Sequence, residues 1–496
     1  MSTKLPLIIV LIISSCLSHS VSEQFRFPIR EATISKIKYA YKQKMLTTRE
    51  LVEFYLPEIK EQNPYLNGVI EVNPNNVQID ADRADLERQS NSSASHLALH
   101  GIPVLLKGNM GTRGAMNTTG GSYALLGSVI SRDARVATMS EWGYFRSSTA
   151  PHARSGRGGQ GKNPYVHSAD PCGSSSGSAI STPANLVTVS LGTETDGSIL
   201  CPASFNSVVG IKPTVGIPSM DQIIPVSPRQ DTVGPICRTV EDAVYVLDEI
   251  VDRYYVDPIF PFPSDSFKNH LKPDGLKGKR LGIVRHPFID LVTAVNSIAV
   301  RTFEKHIKTL RQEGAIIIDG IEIENIDVIM KPLESGERVA RLAEFKIAIN
   351  AYLKDLVVSP VRSLADVIVF NINNPQLCRK DEYGQDIFLK SEQTTGIGPK
   401  EREALANLER LSKNGLEKLM KDNNLDAIVT AGSLISLVLA IGGFPGINVP
   451  AGYDEFGVPF GINFGGLKFS EPKLIEIAYA FEQATMIRKP PIAPLK

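Results

Sequence analysis

Neither sign of charge prevails in this chain: lysine plus arginine and aspartate plus glutamate both number 53 among its 496 residues. Without a net field, the composition offers nothing that draws the protein to nucleic acid or to an acidic membrane. Cysteine is scarce too. Cys16, Cys172, Cys201, Cys237 and Cys378 are widely spaced and form no pair with metal-ligand spacing. Beyond the amino terminus no segment is long and apolar enough to cross a bilayer, which takes about 20 residues. Repeats, heptads and long low-complexity tracts are missing. None of the eight histidines sits in a local pattern that marks it as catalytic. No lysine directly follows the glycine-rich segments, as a phosphate-cradling loop would need. What is present is an ordinary globular composition, 42% hydrophobic and 21% charged.

The one apolar stretch that stands out begins the chain. Lys4 precedes a run from Leu5 to Leu17, broken by Pro6, Ser14 and Ser15, and Ser18, Ser20 and Ser22 follow. A charged start, a short apolar stretch and small residues at a cleavage point describe a secretory signal over residues 1–22. The expected destination is the secretory pathway, secreted or vacuolar, for a mature domain of residues 23–496. Cys16 leaves with the signal. The four remaining cysteines permit disulfides in an oxidising compartment, but a chain this long does not need them. Buried free thiols are therefore expected at all four. Asn91-Ser92-Ser93 and Asn117-Thr118-Thr119 match the glycosylation acceptor pattern. Asn91 lies in a polar, serine-rich stretch, whereas Asn117 lies close to the loop after Lys107.

Thr47 and Glu50 have capping-box spacing and open a helix with Leu51, Val52, Phe54, Tyr55 and Ile59 near one face. Residues 80–88 read as a polar helix, 90–95 and 114–121 as loops, and 155–163 as a flexible basic stretch. Ile102 to Leu106 reads as a buried strand. Strands at 187–191, 280–284 and 425–430, and short apolar segments at 447–450 and 460–464, alternate with helices at 178–186, 296–312 and 474–485. That alternation favours an α/β sheet. Residues 331–402 show no clear pattern.

Chemistry concentrates in two segments, Cys172-Gly173-Ser174-Ser175-Ser176-Gly177-Ser178-Ala179 and Gly192-Thr193-Glu194-Thr195-Asp196-Gly197-Ser198-Ile199. Flanking apolar residues such as Ile180, Ile199 and Leu200 argue against a flexible tether. A serine hydroxyl needs an adjacent base to act as a nucleophile. A lysine serves when burial away from water keeps it neutral. Lys107, at the end of the run Ile102-Pro103-Val104-Leu105-Leu106, is the candidate.

These segments, continued through Lys212-Pro213-Thr214 to Gly234-Pro235 and Arg238, resemble the amidase signature family of serine hydrolases. The resemblance runs from about Thr33 to Thr485. The wording Glu194-Thr195-Asp196-Gly197-Ser198-Ile199 is most similar to the peptide amidase type and its plant relatives. Residues 442–446 and 448–453 resemble the family's closing elements. The resemblance implies an α/β fold, a single large domain whose central mixed, twisted sheet is flanked by helices. It also implies a triad: Ser198 as nucleophile, Ser174 as a bridging serine in a cis peptide, and Lys107 as base. Backbone N–H groups of Thr195, Asp196, Gly197 and Ser198 are implied as an oxyanion hole, with neither metal nor cofactor.

Departures from the family pattern are Cys172 and Asp196 in place of glycine, Leu200 in place of arginine, and Gly108 in place of aspartate. The largest lies between Val136 and Glu141, where roughly fifteen residues, about one helix and a short strand, are missing. The implied function is hydrolysis of a primary or peptide C-terminal amide, with a small-molecule or peptide amide as partner and no nucleic acid. Two rival readings use the same residues: the A-type, transamidating component of a glutamyl-tRNA amidotransferase, and a shortened, inactive non-enzyme. Substrate identity and oligomeric state are not legible in the sequence.

Overall fold

Short apolar runs between glycine turns assemble, in the computed structural model, into one mixed sheet. Residues 26–492 are described, apart from 73, 114–115, 135–145, 252–265 and 294–296. The expected signal segment and the expected gap between Val136 and Glu141 lie outside the described residues.

The strands are β1 (Val104–Leu106), β2 (Arg154–Ser155), β3 (Gly159–Gln160), β4 (Val189–Glu194), β5 (Val209–Lys212) and β6 (Thr232–Cys237). They continue with β7 (Arg280–Val284), β8 (Ile316–Ile321), β9 (Ala427–Ala431), β10 (Gly446–Tyr453) and β11 (Pro459–Gly465). Nine of them form one sheet in the order β1-β4-β6-β5-β10-β11-β9-β7-β8. Pairing is parallel at β1·β4, β9·β7 and β7·β8 and antiparallel between the other neighbours. The expected mixed sheet flanked by helices is therefore present.

Both faces of the sheet are covered. Along β9, Ala427 and Val429 join one apolar cluster while Ile428 joins another. That is the period of two of a strand buried on both sides. The first cluster includes helices Val240–Ile250 and Glu471–Thr485, through residues such as Val244, Leu247, Leu474 and Phe481. The second gathers Leu200, Leu408 and Leu439. The Thr47–Glu50 capping box forms as its spacing predicts: Glu50 N–H donates to Thr47 Oγ1 at 3.0 Å and Thr47 N–H to Glu50 Oε2 at 2.7 Å.

Four local expectations need correction. The strand expected to be buried at Ile102 to Leu106 is β1, an edge strand whose three residues are only half-buried. A cavity of about 400 Å³, lined by residues such as Tyr55, Ile59, Val69, Leu105 and Met116, lies against it. Residues 155–163 are not a loose tether. Arg154–Ser155 pairs antiparallel with Gly159–Gln160, and Arg157 is held by Glu71 at 2.8 Å and Thr119 at 3.0 Å. Cys172 and Cys201 are not free thiols but form a disulfide, with Cα atoms 5.9 Å apart. Their distance in sequence hid a contact that arises because the two serine segments fold against each other. Cys237 and Cys378 are the expected buried free thiols. Finally, the patternless stretch 331–402 is mainly helical, with helices Glu337–Asp355, Leu364–Asn373 and Asp386–Glu392. They pack Phe345, Ile349, Leu364 and Phe388 into a separate apolar cluster.

Candidate active site

The site is built at the end of two adjacent parallel strands. β1 pairs Leu106 with Leu191 of β4, so Lys107 follows beside the second half of β4, which runs on to Glu194 and then into the turn at Gly197. Lys107 is 2% exposed. Its Nζ lies 2.7 Å from Ser174 Oγ and donates to the Thr193 carbonyl at 2.9 Å. The Gly173–Ser174 peptide is cis. Ser174 and Ser198 are half-buried, above a buried lysine.

Ser174 and Ser198 belong to segments that are laced together. Ser175 N–H donates to the Ser198 carbonyl at 3.1 Å, and Ser175 Oγ donates to the Thr193 carbonyl at 3.0 Å. Ser178 Oγ reaches the Leu191 carbonyl at 2.7 Å, tying helix Ser176–Ser181 to β4. The approach of Ser175 to β4 requires glycine in the strand. A Cβ on Gly192 would lie 2.7 Å from Ser175 Oγ and 2.9 Å from Ile236 Cδ1. Gly197, at φ +130°, holds the turn in a conformation that disfavours any side chain. The Cys172–Cys201 disulfide closes the same junction covalently, joining the residue before Gly173 to helix Leu200–Phe205 after Ser198.

Two carboxylates given no role in the sequence analysis, Glu194 and Asp231, shape the turn. Glu194, fully buried, accepts the backbone N–H groups of Ile199 at 2.7 Å and Leu200 at 2.9 Å. Burial raises its pKa, against the opposing pull of Lys212 and those N–H donors. Burial in turn pushes the Lys212 ammonium down to about 8. Asp231 accepts Thr195 Oγ1 at 2.6 Å and the N–H groups of Val226 and Ser227, each at 2.8 Å. Burial pushes its pKa up to about 6, although these donors, and Lys107 whenever it is protonated, oppose the shift. Asp231 thus places a carboxylate in the electrostatic reach of Lys107, where the sequence has Gly108 rather than an acid next to the lysine. The side chain of Asp196 pairs with Arg341, which also meets Glu337 at 3.3 Å. Gln230 Nε2 donates to the Thr195 carbonyl at 3.3 Å. Asp231, Gln230 and Arg341 lie far along the chain from the residues they hold, so spacing alone held no sign of these contacts. Glu194, inside the recognised wording, was the most findable.

The arrangement combines a nucleophile-bearing turn, a bridging hydroxyl and a buried amine within one hydrogen-bonded unit. Among the described residues no group of histidine, cysteine, aspartate and glutamate could hold a metal ion. The family model described as Amidase matches residues 50–394.

The chain belongs to the amidase family.

This amidase is 54% identical over 509 residues to a probable amidase of Arabidopsis thaliana, with 97% of each chain covered. The X-ray structure of native peptide amidase from Stenotrophomonas maltophilia superposes with a TM-score of 0.85 at 35% identity, covering 94% of this chain and 99% of that one. A glutamyl-tRNA(Gln) amidotransferase chain of Thermoanaerobacter pseudethanolicus is 27% identical over 500 residues, 93% of this chain and 98% of its own. The amidase is accordingly a hydrolase acting on amide bonds.

The glycosylation candidates differ in setting. Asn91 is exposed. Asn117 is engaged: its Nδ2 donates to Glu71 at 3.1 Å and its Oδ1 accepts Gly127 N–H at 3.1 Å.

Proposed function

We propose that the protein hydrolyses a carboxamide, a primary or peptide C-terminal amide, through an acyl-enzyme on Ser198. The observation that carries this reading is the 2.7 Å contact between Lys107 Nζ and Ser174 Oγ at the foot of the turn that bears Ser198. Uncharged Lys107 takes a proton from Ser174 as Ser174 takes one from Ser198. Ser198 Oγ attacks the carbonyl carbon. The oxyanion forms against backbone N–H groups of the Thr195–Ser198 turn, which stabilise charge where it develops. Collapse breaks the C–N bond, and the proton returns through Ser174 to the leaving ammonia or amine. Water then enters, loses its proton to the same relay and releases the carboxylate.

The turn is tied by hydrogen bonds and a disulfide in the absence of substrate. Glu194 fixes the N–H groups just after Ser198, Asp231 fixes Thr195, and the disulfide bars the two serine segments from separating. Preorganised donors cost little reorganisation in the reaction. The similarity to peptide amidase supports a small-molecule or peptide substrate. We also propose entry into the secretory pathway. The Cys172–Cys201 disulfide supports it, because such bonds persist in oxidising compartments.

Ammonia release from a panel of primary and peptide C-terminal amides, with neither tRNA nor a second protein present, tests the reading. Release by the protein alone is expected. Activity that appears only with partner proteins and charged tRNA would instead establish the transamidating role.

A further inference from the structure

A small cavity beside the catalytic loops is lined by three arginines. Arg146, Arg154 and Arg379 converge on a space of about 30 Å³, with no aspartate or glutamate among the described lining residues. That volume admits one or two waters or one small polar group. Arg146 donates to the Cys378 carbonyl, and its Nε is buried with no partner among the described residues. Burial pulls its pKa down. Arg154 has no ion pair among the described residues. Its guanidinium lies 5.8 Å from the centre of the Tyr383 ring, and that of Arg379 lies 5.9 Å from it. Among the described residues, Arg379 alone of the three pairs with an acid, Glu382. Like charges gathered around one partly open space repel one another unless an anion enters. Guanidinium forks match a carboxylate in both charge and shape.

The lining of the cavity adjoins the loops that carry Lys107 and Ser174. Gly120, in its lining, donates its N–H to the Gly108 carbonyl at 2.6 Å, one residue from Lys107. On the other side, Ala153 precedes Arg154, and its backbone nitrogen lies 3.7 Å from where a Cβ on Gly173 would stand, next to Ser174. A group lodged among the arginines is therefore placed close to both loops that hold the relay.

We propose that this cavity is a carboxylate subsite, which selects amides carrying a second, anionic group remote from the bond that is cut. The proposal rests on the amidase reading above and narrows its substrate class to ω-carboxylated amides. Chemistry at the amide is unchanged; the distant carboxylate is bound and not transformed.

The test uses primary amides of increasing chain length that end in a carboxylate, each paired with the uncharged alkyl amide of equal length. Wild-type protein is expected to favour the charged member by about tenfold or more in kcat/KM at one preferred length. Arg154→Gln should lower that ratio towards one, and Arg154→Lys should restore part of it. Arg379→Gln gives a second reading if the first variant fails to fold. Calorimetric titration of Ser198→Ala protein with the same pairs reads binding without turnover. Tighter binding of the charged member supports the subsite even if no amide is hydrolysed, in which case only the amidase reading falls. Turnover of neutral and charged amides with equal kcat/KM at every length, or equal binding by Ser198→Ala, overturns the subsite and leaves the amidase reading standing.

Discussion

The two strands that meet at the relay are unequal. β4, which leads into the Ser198 turn, is buried along its whole length and paired on both sides, by β1 and β6. β1, which delivers Lys107, has three half-buried residues, a partner on one side only and a cavity of about 400 Å³ beside it. The nucleophile follows a fully buried, doubly paired strand and the base stands on the sheet's margin. Lys107 is nevertheless 2% exposed, because the margin ends where Ser174, Thr193 and the serine segments close over it. Rigidity at the base is thus borrowed from the contacts of its own side chain, not from the strand that carries it.

Lys107→Ala should have the largest effect that bears on this contrast. Loss of the base is expected to lower kcat by about three orders of magnitude, with little change in melting temperature, since β1 adds little to the core. A large fall in melting temperature would show that the lysine holds the margin in place. Next, Leu191→Ala in the middle of β4, at 4% exposure, should cost about 3 kcal/mol in denaturant unfolding.

Asp231 probes the same buried floor through pH. Its pKa is pushed up to about 6 on folding, above the ordinary aspartate value of 3.8. The folded chain therefore holds this proton more tightly than the unfolded chain. The contribution of the group to stability is most favourable below the unfolded value and is lost as the pH rises through about 6. Relative to Asp231→Asn, wild-type protein should gain about 2 kcal/mol between pH near 6 and pH near 4. Parallel stability profiles of the two proteins would contradict the assignment. The smallest effect is expected at Leu105→Ala on β1, about 1 kcal/mol, because its side chain already faces a cavity. A cost equal to that of Leu191→Ala would erase the distinction between margin and centre.

Much of this was legible in the sequence. Strands such as Arg280–Val284 and the helix ending at Thr485 follow from apolar runs bounded by glycine or polar residues. The Lys107–Ser174 contact follows from the resemblance carried by residues 173–238. What stayed hidden depends on chain segments that meet only after folding. The disulfide joins two loops that approach because glycine at 192 admits Ser175. Asp231 reaches Thr195 across the top of β4 and β6, a contact with no sequence period. Helix Glu337–Asp355 begins at Gly336, with φ +86° and no side-chain cap, so neither a start signal nor a clean apolar stripe announced it. The half-buried state of β1 was hidden as well, since a short apolar run does not say how many neighbours it has.

The relay itself is the central claim, and covalent labelling reaches it most directly. Purified protein treated with a serine-reactive fluorophosphonate, digested and mapped by mass spectrometry should carry the label on Ser198, and Ser198→Ala should carry none. Label on another serine, or undiminished labelling of the variant, would contradict the account.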